Sequence, residues 1–389
     1  MDGVVNGPRG GAFGRLTATH GLAMAGDTLI TVALAGSLFF SISPSAARGR
    51  VALSLLLTMA PFAVVAPFLG PAIDRSRKGR RAMVVLSCLG RAAACLFMAR
   101  VVHGLLLFPA AFAVLVLSKA YSVAKSALVP SAVRGQADLV EANSKLAITG
   151  VVAGFLAAGP GVLTLKLLGA AWVLRLAALV FVVAGAFALR IPRLGAMTSE
   201  YRSDRAQTAV GTMAAAVVMA LLRAEVGFLT FLVAFGFRRA RAPSWWFGVV
   251  LAASMAGTLA GSALAPRARK RVEEETILAG CLGLVAVTSL ALATTHGRLW
   301  AAAMAGVVGL AAGAGKLAFD ALVQRDAPDE VRGQQFARYE AGFQLVWVIG
   351  ALLPVVVVTP LRQGYVVIAT ASAIAGAAFV AVRGRLAAR

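Results

Sequence analysis

Twelve apolar runs of about twenty residues, parted by short polar breaks, constrain this chain more than any other feature. They fall near 16–40, 51–70, 82–102, 105–127, 142–164, 168–189, 209–236, 244–265, 277–294, 299–319, 336–358 and 364–382. About 20 apolar residues in a helix cross roughly 30 Å of hydrocarbon. Lipid offers the backbone no hydrogen-bond partners, so only helices and closed barrels span it. These runs are long, rich in Ala, Leu, Val and Gly, and do not alternate, which excludes a barrel. The predicted fold class is an all-α membrane protein. Only 14% of residues are charged and 60% are hydrophobic, whereas soluble domains carry about 25% charge.

The net charge of +22 does not imply nucleic acid, because the basic residues cluster in the breaks between apolar runs and form no single basic face. The partner they imply is the bilayer. Cys88, Cys95 and Cys281 all lie inside apolar runs, where they read as small packing residues, so no metal site and no cofactor is expected. The first run holds His20 and Asp27 and lacks a charged leader and a cleavage site, so it is expected to stay as a helix.

Loop charge gives an orientation. With the N-terminus in the cytoplasm, about 21 Lys and Arg lie inside and about nine outside. Both termini are then cytoplasmic, in a bacterial cytoplasmic (plasma) membrane. Trp172, Trp245, Trp246 and Trp300 fall at predicted outer helix ends, where indoles prefer the interface. Arg238, Arg239 and Arg241 run against the rule.

The sequence also repeats itself. Ala127-Leu128-Val129 and Pro160 return as Ala321-Leu322-Val323 and Pro354, displaced by 194 residues; Arg134-Gly135-Gln136 returns as Arg332-Gly333-Gln334, and Gly70 as Gly261. This predicts two pseudo-symmetric six-helix bundles, 1–190 and 209–389, joined by a cytoplasmic linker over 191–208. Parallel repeats of this kind suit a transporter with a midplane site.

Between the second and third runs stands Gly70-x-x-x-Asp74-Arg75-x-x-Lys78-x-Arg80-Arg81, which resembles the signature loop of the major facilitator superfamily. The resemblance implies twelve transmembrane helices in the major facilitator fold, with Gly70, Asp74, Arg75, Lys78, Arg80 and Arg81 forming a cytoplasmic gate. The second-half counterpart, Gly261 to Arg271, has Ala265 where the acid belongs, so its gate would be asymmetric. Gly150-x-x-x-Gly154 followed by Gly159-Pro160-Gly161 is similar to the superfamily's exporter signature, implying close packing and helix bending at Gly150, Gly154, Gly159 and Pro160. Ala120 to Lys125, Leu139 to Asn143 and Gly26-Asp27 resemble both drug and siderophore exporters and bacterial lysophospholipid transporters.

Charges within the bilayer carry the chemistry, because each costs at least about 2.5–3.5 kcal/mol to place there. His20, Met24, Asp27 and Thr31 share one helical face expected to look into a cavity. Arg223 lies 196 residues after Asp27, at an equivalent place in the other half. The expectation is that Asp27 and Arg223 approach one another and that a proton on Asp27 frees Arg223 for an anionic group; a static pair that fixes packing is the alternative. Glu225, two residues on, points elsewhere and is a competitor for Arg223. Glu340 and Gln344, one turn apart, extend the polar lining, or Glu340 snorkels to the inner face. Lys316 and Asp320 read as an intrahelical pair, and Tyr121 and Lys125 as cavity residues. Arg91 and Arg175 have no evident partner in sequence.

Gly313-Ala314-Gly315-Lys316 is not a phosphate loop, because Leu310 stands where its first glycine belongs and no Ser or Thr follows. No nucleotide site is recognisable, so energy is expected from an ion gradient or from the substrate's own gradient, and the expected activity is transport, not enzymatic. It is proton-coupled efflux (antiport) of small amphiphilic molecules by a monomer, with protons and a small-molecule substrate as partners and no nucleic acid; the alternative is a lysophospholipid transporter or flippase.

Overall fold

The computed structural model describes residues 8–35, 77–102, 104, 106–133, 138–192, 205–243, 245–295, 297–328, 331–357 and 359–387. Among them the secondary structure is helical: α1 (Pro8–Ala35), α2 (Arg77–Arg100), α3 (Leu107–Ala132), α4 (Leu139–Leu168), α5 (Ala170–Leu189), α6 (Arg205–Arg239), α7 (Trp245–Arg269), α8 (Glu274–Leu292), α9 (Arg298–Asp326), α10 (Arg332–Val356) and α11 (Leu361–Ala387). Ten of them, α2 to α11, are long and apolar enough to cross a membrane. Each corresponds to a predicted apolar run, as does α1. The predicted run 51–70 lies outside the described residues, as do Gly70, Asp74 and Arg75 of the signature loop.

The ends of the helices have local causes. Gly169 separates α4 from α5 with φ +86, a region side chains resist, and its N–H caps the Leu165 carbonyl at 3.0 Å. Leu156, Leu167, Val287 and Ile374 are each at least 70% exposed, as expected of a surface solvated by lipid tails.

The described residues divide into two compact units, one of residues up to 198 with 327–338, the other of 199–326 with 339–389. In the first, α1 packs against α4 and α5, and α2 against α3 and α5. Leu29, Met98, Val114, Leu174 and Phe181 are in its core. At one end Arg15 donates to the Arg190 carbonyl at 2.7 Å, and Arg81 donates to the Leu189 carbonyl. Both cations thus satisfy carbonyls at the C-terminus of α5, where the helix dipole favours positive charge.

The second unit is built on a seam of glycines between α7 and α9. A Cβ added at Gly257 would lie 1.9 Å from the Gly306 carbonyl oxygen, one at Gly261 2.1 Å from that of Leu310, and one at Gly313 2.4 Å from that of Thr258. The two backbones touch because no side chain stands between them. A second crossing joins α6 to α10, where Gly227 meets the Trp347 carbonyl and Gly350 meets that of Ala224. One end of this unit is tied by ions. Arg269 donates to Glu274 at 2.6 Å, and Arg325 reaches Glu274, Glu275 and Asp326 at 3.2, 3.1 and 2.7 Å. Thr212 donates to Asp326 at 3.2 Å, and Arg383 to Glu273 at 3.1 Å, which links α6, α7, α8, α9 and α11.

Candidate functional site

Within the first unit, polar groups from three helices converge at mid-length. Arg91 of α2 donates through one terminal nitrogen to both carboxylate oxygens of Asp27 on α1, at 2.9 and 3.0 Å. Ser118 of α3 donates to the same carboxylate at 3.3 Å. Arg91 also bonds the Ser87 carbonyl of its own helix at 3.1 Å. Its guanidinium carbon lies 4.4 Å from the Phe181 ring centroid and 4.9 Å from that of Tyr121. Two aromatic faces thus flank a desolvated cation, an arrangement worth up to about 2 kcal/mol. Gly26 makes room for one of them, since a Cβ there would meet the Phe181 ring at 2.6 Å.

The pair is lopsided. Arg91 is wholly buried, while the Asp27 side chain is 26% exposed. Buried ion pairs recover their desolvation cost only when the remaining bonding positions are filled; here the Ser87 carbonyl, Ser118 and the two rings do so. Asp27 is therefore the less buried end of the pair.

Sequence reasoning assigned Asp27 to Arg223, but the carboxylate is held by Arg91 of its own unit, because α1, α2 and α3 bring their central polar groups to one point. Of the other predicted site residues, His20 is buried, shares a 3.3 Å hydrogen bond with Tyr121 and stacks on its ring at 6.0 Å between centroids. Tyr121 in turn covers Arg91, so these two join the cluster. Lys125, one turn past Tyr121, is half-buried. Thr31 donates to the Asp27 main-chain carbonyl at 2.9 Å and is exposed, so its hydroxyl serves its own helix. Gly150 and Gly154 face α1, where added Cβ atoms would lie 3.0 Å from Met24 and 2.9 Å from the Thr28 hydroxyl. Gly159 meets nothing within 4 Å, and Pro160 sits inside α4, which continues to Leu168. Of the gate residues, Arg80 is buried and Arg81 caps α5, while Lys78 lies in the first turn of α2.

The second unit carries its own charges. Lys316 and Asp320 pair along α9 at 2.6 Å, as their spacing predicts, and Lys316 also bonds Glu340 of α10. Glu340 is thus an ion-pair partner between helices, and Gln344 lies half-buried one turn beyond it. Glu225 of α6 is 3% exposed. It accepts from Ser372 of α11, while its other oxygen is buried without a partner among the described residues. Arg223 is half-buried, its Nε lacks a hydrogen-bond partner, and Lys316 lies within its electrostatic range. Arg175 stacks on Trp172 at 4.5 Å. Depth alone would have found Arg91: it lies about ten residues into its apolar run, and Asp27 about twelve into the preceding described one.

Comparisons with known proteins agree with this architecture. The chain is 32% identical over 387 residues to an uncharacterized protein of Mycobacterium leprae, covering 87% of this chain and 66% of that one, so it spans just under two thirds of that relative. In fold it is similar to a bacterial homologue of the iron transporter ferroportin in an outward-facing state, with TM-score 0.73 at 16% identity, covering 97% of this chain and 100% of the other. It is also similar to the human organic anion transporter MFSD10, with TM-score 0.71 at 13% identity, covering 96% and 100%. A family model described as Major Facilitator Superfamily matches residues 16–351. With helices through the described residues, charges paired inside apolar spans and that match over most of its length, the chain belongs to the major facilitator superfamily of membrane transporters.

Proposed function

We propose that this chain is a proton-coupled secondary transporter that exports small amphiphilic compounds by alternating access, acting as a monomer in the bacterial cytoplasmic membrane with both termini inside. The observation that supports this most is the Asp27–Arg91 pair. It is a carboxylate with a reachable face bonded to an immobile, desolvated cation. Protonating Asp27 removes one charge of the pair and weakens two charge-assisted bonds worth about 1.5–3 kcal/mol each. That is enough to shift a nearly balanced two-state equilibrium by tenfold or more. Arg91 stays in place meanwhile, held by Ser87, Tyr121 and Phe181. Proton occupancy at Asp27 can thereby bias which conformation α1 adopts, and that bias is how a proton gradient would drive an otherwise passive cycle.

The test is transport in proteoliposomes under an imposed pH gradient, with a panel of cationic, neutral and anionic amphiphiles and lysophospholipids. Export coupling requires substrate-dependent proton movement in the wild type and its loss in Asp27→Asn, with substrate exchange retained. Proton movement that survives Asp27→Asn unchanged would remove Asp27 from the mechanism. A response confined to lysophospholipids would move the substrate to that class.

A further inference from the structure

We propose that Arg223 is an anion-binding residue of the second unit, taking the oxyanion group of an amphiphilic substrate. This deepens the transporter reading and rests on it for the word substrate, but binding can be tested without transport.

Arg223 stands near the middle of α6, eighteen residues from its start, at a depth where an uncompensated guanidinium is costly. Three other cations of the spans have partners. Arg91 has Asp27, Lys316 has Asp320 and Glu340, and Arg175 has the Trp172 face. Arg223 has no acceptor among the described residues, and its Nε is buried. The acids that might have served it are engaged elsewhere. Glu225, two positions on, lies on another face of α6 and bonds Ser372, while Asp320 and Glu340 both bind Lys316.

Lys316 lies within electrostatic range of Arg223, but its own charge is met by Asp320 and Glu340, so the direct hydrogen-bonding positions of Arg223 are the ones left for a ligand. A guanidinium presents a planar fork matched to carboxylate, sulfonate or phosphate oxygens. Eight residues further along α6, about 12 Å at 1.5 Å per residue, Phe231 packs edge-on against Trp347 of α10 at 6.4 Å and tilts against Phe235 at 6.4 Å. All three rings are only partly buried. A cation and a partly buried aromatic group about 12 Å apart along the helix axis match a ligand with an anionic head and an apolar body.

The experiment uses the full chain in lipid nanodiscs, with naphthalene-2-sulfonate as the anionic probe and naphthalene-2-sulfonamide as its uncharged counterpart. Affinities are read by calorimetry without a pH gradient. The wild type is expected to prefer the sulfonate. Arg223→Gln should weaken sulfonate binding at least about tenfold, leave the sulfonamide unchanged and leave thermal stability equal or higher; Arg223→Lys should recover part of the loss. Competition by lysophosphatidylglycerol or by 2-naphthoate then distinguishes a lipid phosphate from a free carboxylate, and displacement by either supports the site. Unchanged sulfonate affinity in Arg223→Gln, or an equal loss for both probes, overturns it. A binding result of either kind leaves the Asp27 coupling test unaffected, so the two readings fail separately.

Discussion

Replacing Gly257 with alanine should be among the most damaging one-carbon changes in the second unit. The added Cβ would stand 1.9 Å from the Gly306 carbonyl oxygen, whereas a carbon and a carbonyl oxygen rest at about 3.3 Å or more. The shortfall is about 1.4 Å, and the obstructing atom belongs to a helix backbone, so no rotamer change relieves it. The strain also spreads, because Gly261, Gly309 and Gly313 hold the same seam at comparable separations. Parting α7 from α9 by more than an ångström at one position loosens every contact along it. Overpacking ordinarily costs 1–3 kcal/mol, and a rigid obstacle places this case at about 3 kcal/mol or above. The control is Gly283→Ala on α8, where a Cβ meets nothing within 4 Å and relief of glycine's backbone entropy should stabilise by about 0.5–1 kcal/mol. Both variants can be unfolded from detergent micelles with sodium dodecyl sulfate, following tryptophan fluorescence. Gly257→Ala should shift the midpoint down and Gly283→Ala slightly up. A Gly257→Ala midpoint at or above that of Gly283→Ala would refute the close-contact argument.

A double-mutant cycle on Asp27 and Arg91 should show strong coupling: Asp27→Asn or Arg91→Leu alone destabilises by about 3 kcal/mol or more because a buried charge loses its partner, while the double variant recovers much of that in the same unfolding assay. Ser372→Ala should cost about 1–3 kcal/mol by stripping Glu225 of its single observed bond. Glu225→Gln, which can still bond Ser372, should unfold within about 1 kcal/mol of the wild type. Gly169→Ala should lower stability by about 1 kcal/mol, since φ +86 is strained for any side chain, and Gly159→Ala, which meets open space, should not.

Much of this architecture was legible in the sequence because lipid imposes a length and a polarity on every spanning helix. The ends were less legible, because hydropathy marks where hydrocarbon begins and not where hydrogen bonding stops. Thus α1 already includes Pro8, well before the apolar limit near 16, and α9 runs to Asp326 past the apolar limit near 319, its last turn held by Arg325 and its acids. Asp27 was recognisable as a buried charge. Its partner was not, because the internal repeat suggested a counterpart by sequence distance, whereas ion pairing follows which helices lie side by side and at what depth. The pairing of Lys316 with Asp320 needed only one helical turn and could be read directly. Its bond to Glu340 depended on how α9 meets α10, which no local pattern encodes.

The support given to Arg91 has a mechanical consequence. Its side chain is clamped between two rings and pinned to its own helix, so α2 is a fixed post. By contrast α1, which bears the carboxylate, rests on α4 through positions almost without side chains: Gly21 lies over Thr149, and Gly150, Gly154 and Gly161 lie beneath Met24, Thr28 and Leu29. Such a bed has little to ratchet over. If the carboxylate parts from the guanidinium, α1 is the expected moving element, because its bed on α4 carries fewer side chains than the socket around Arg91.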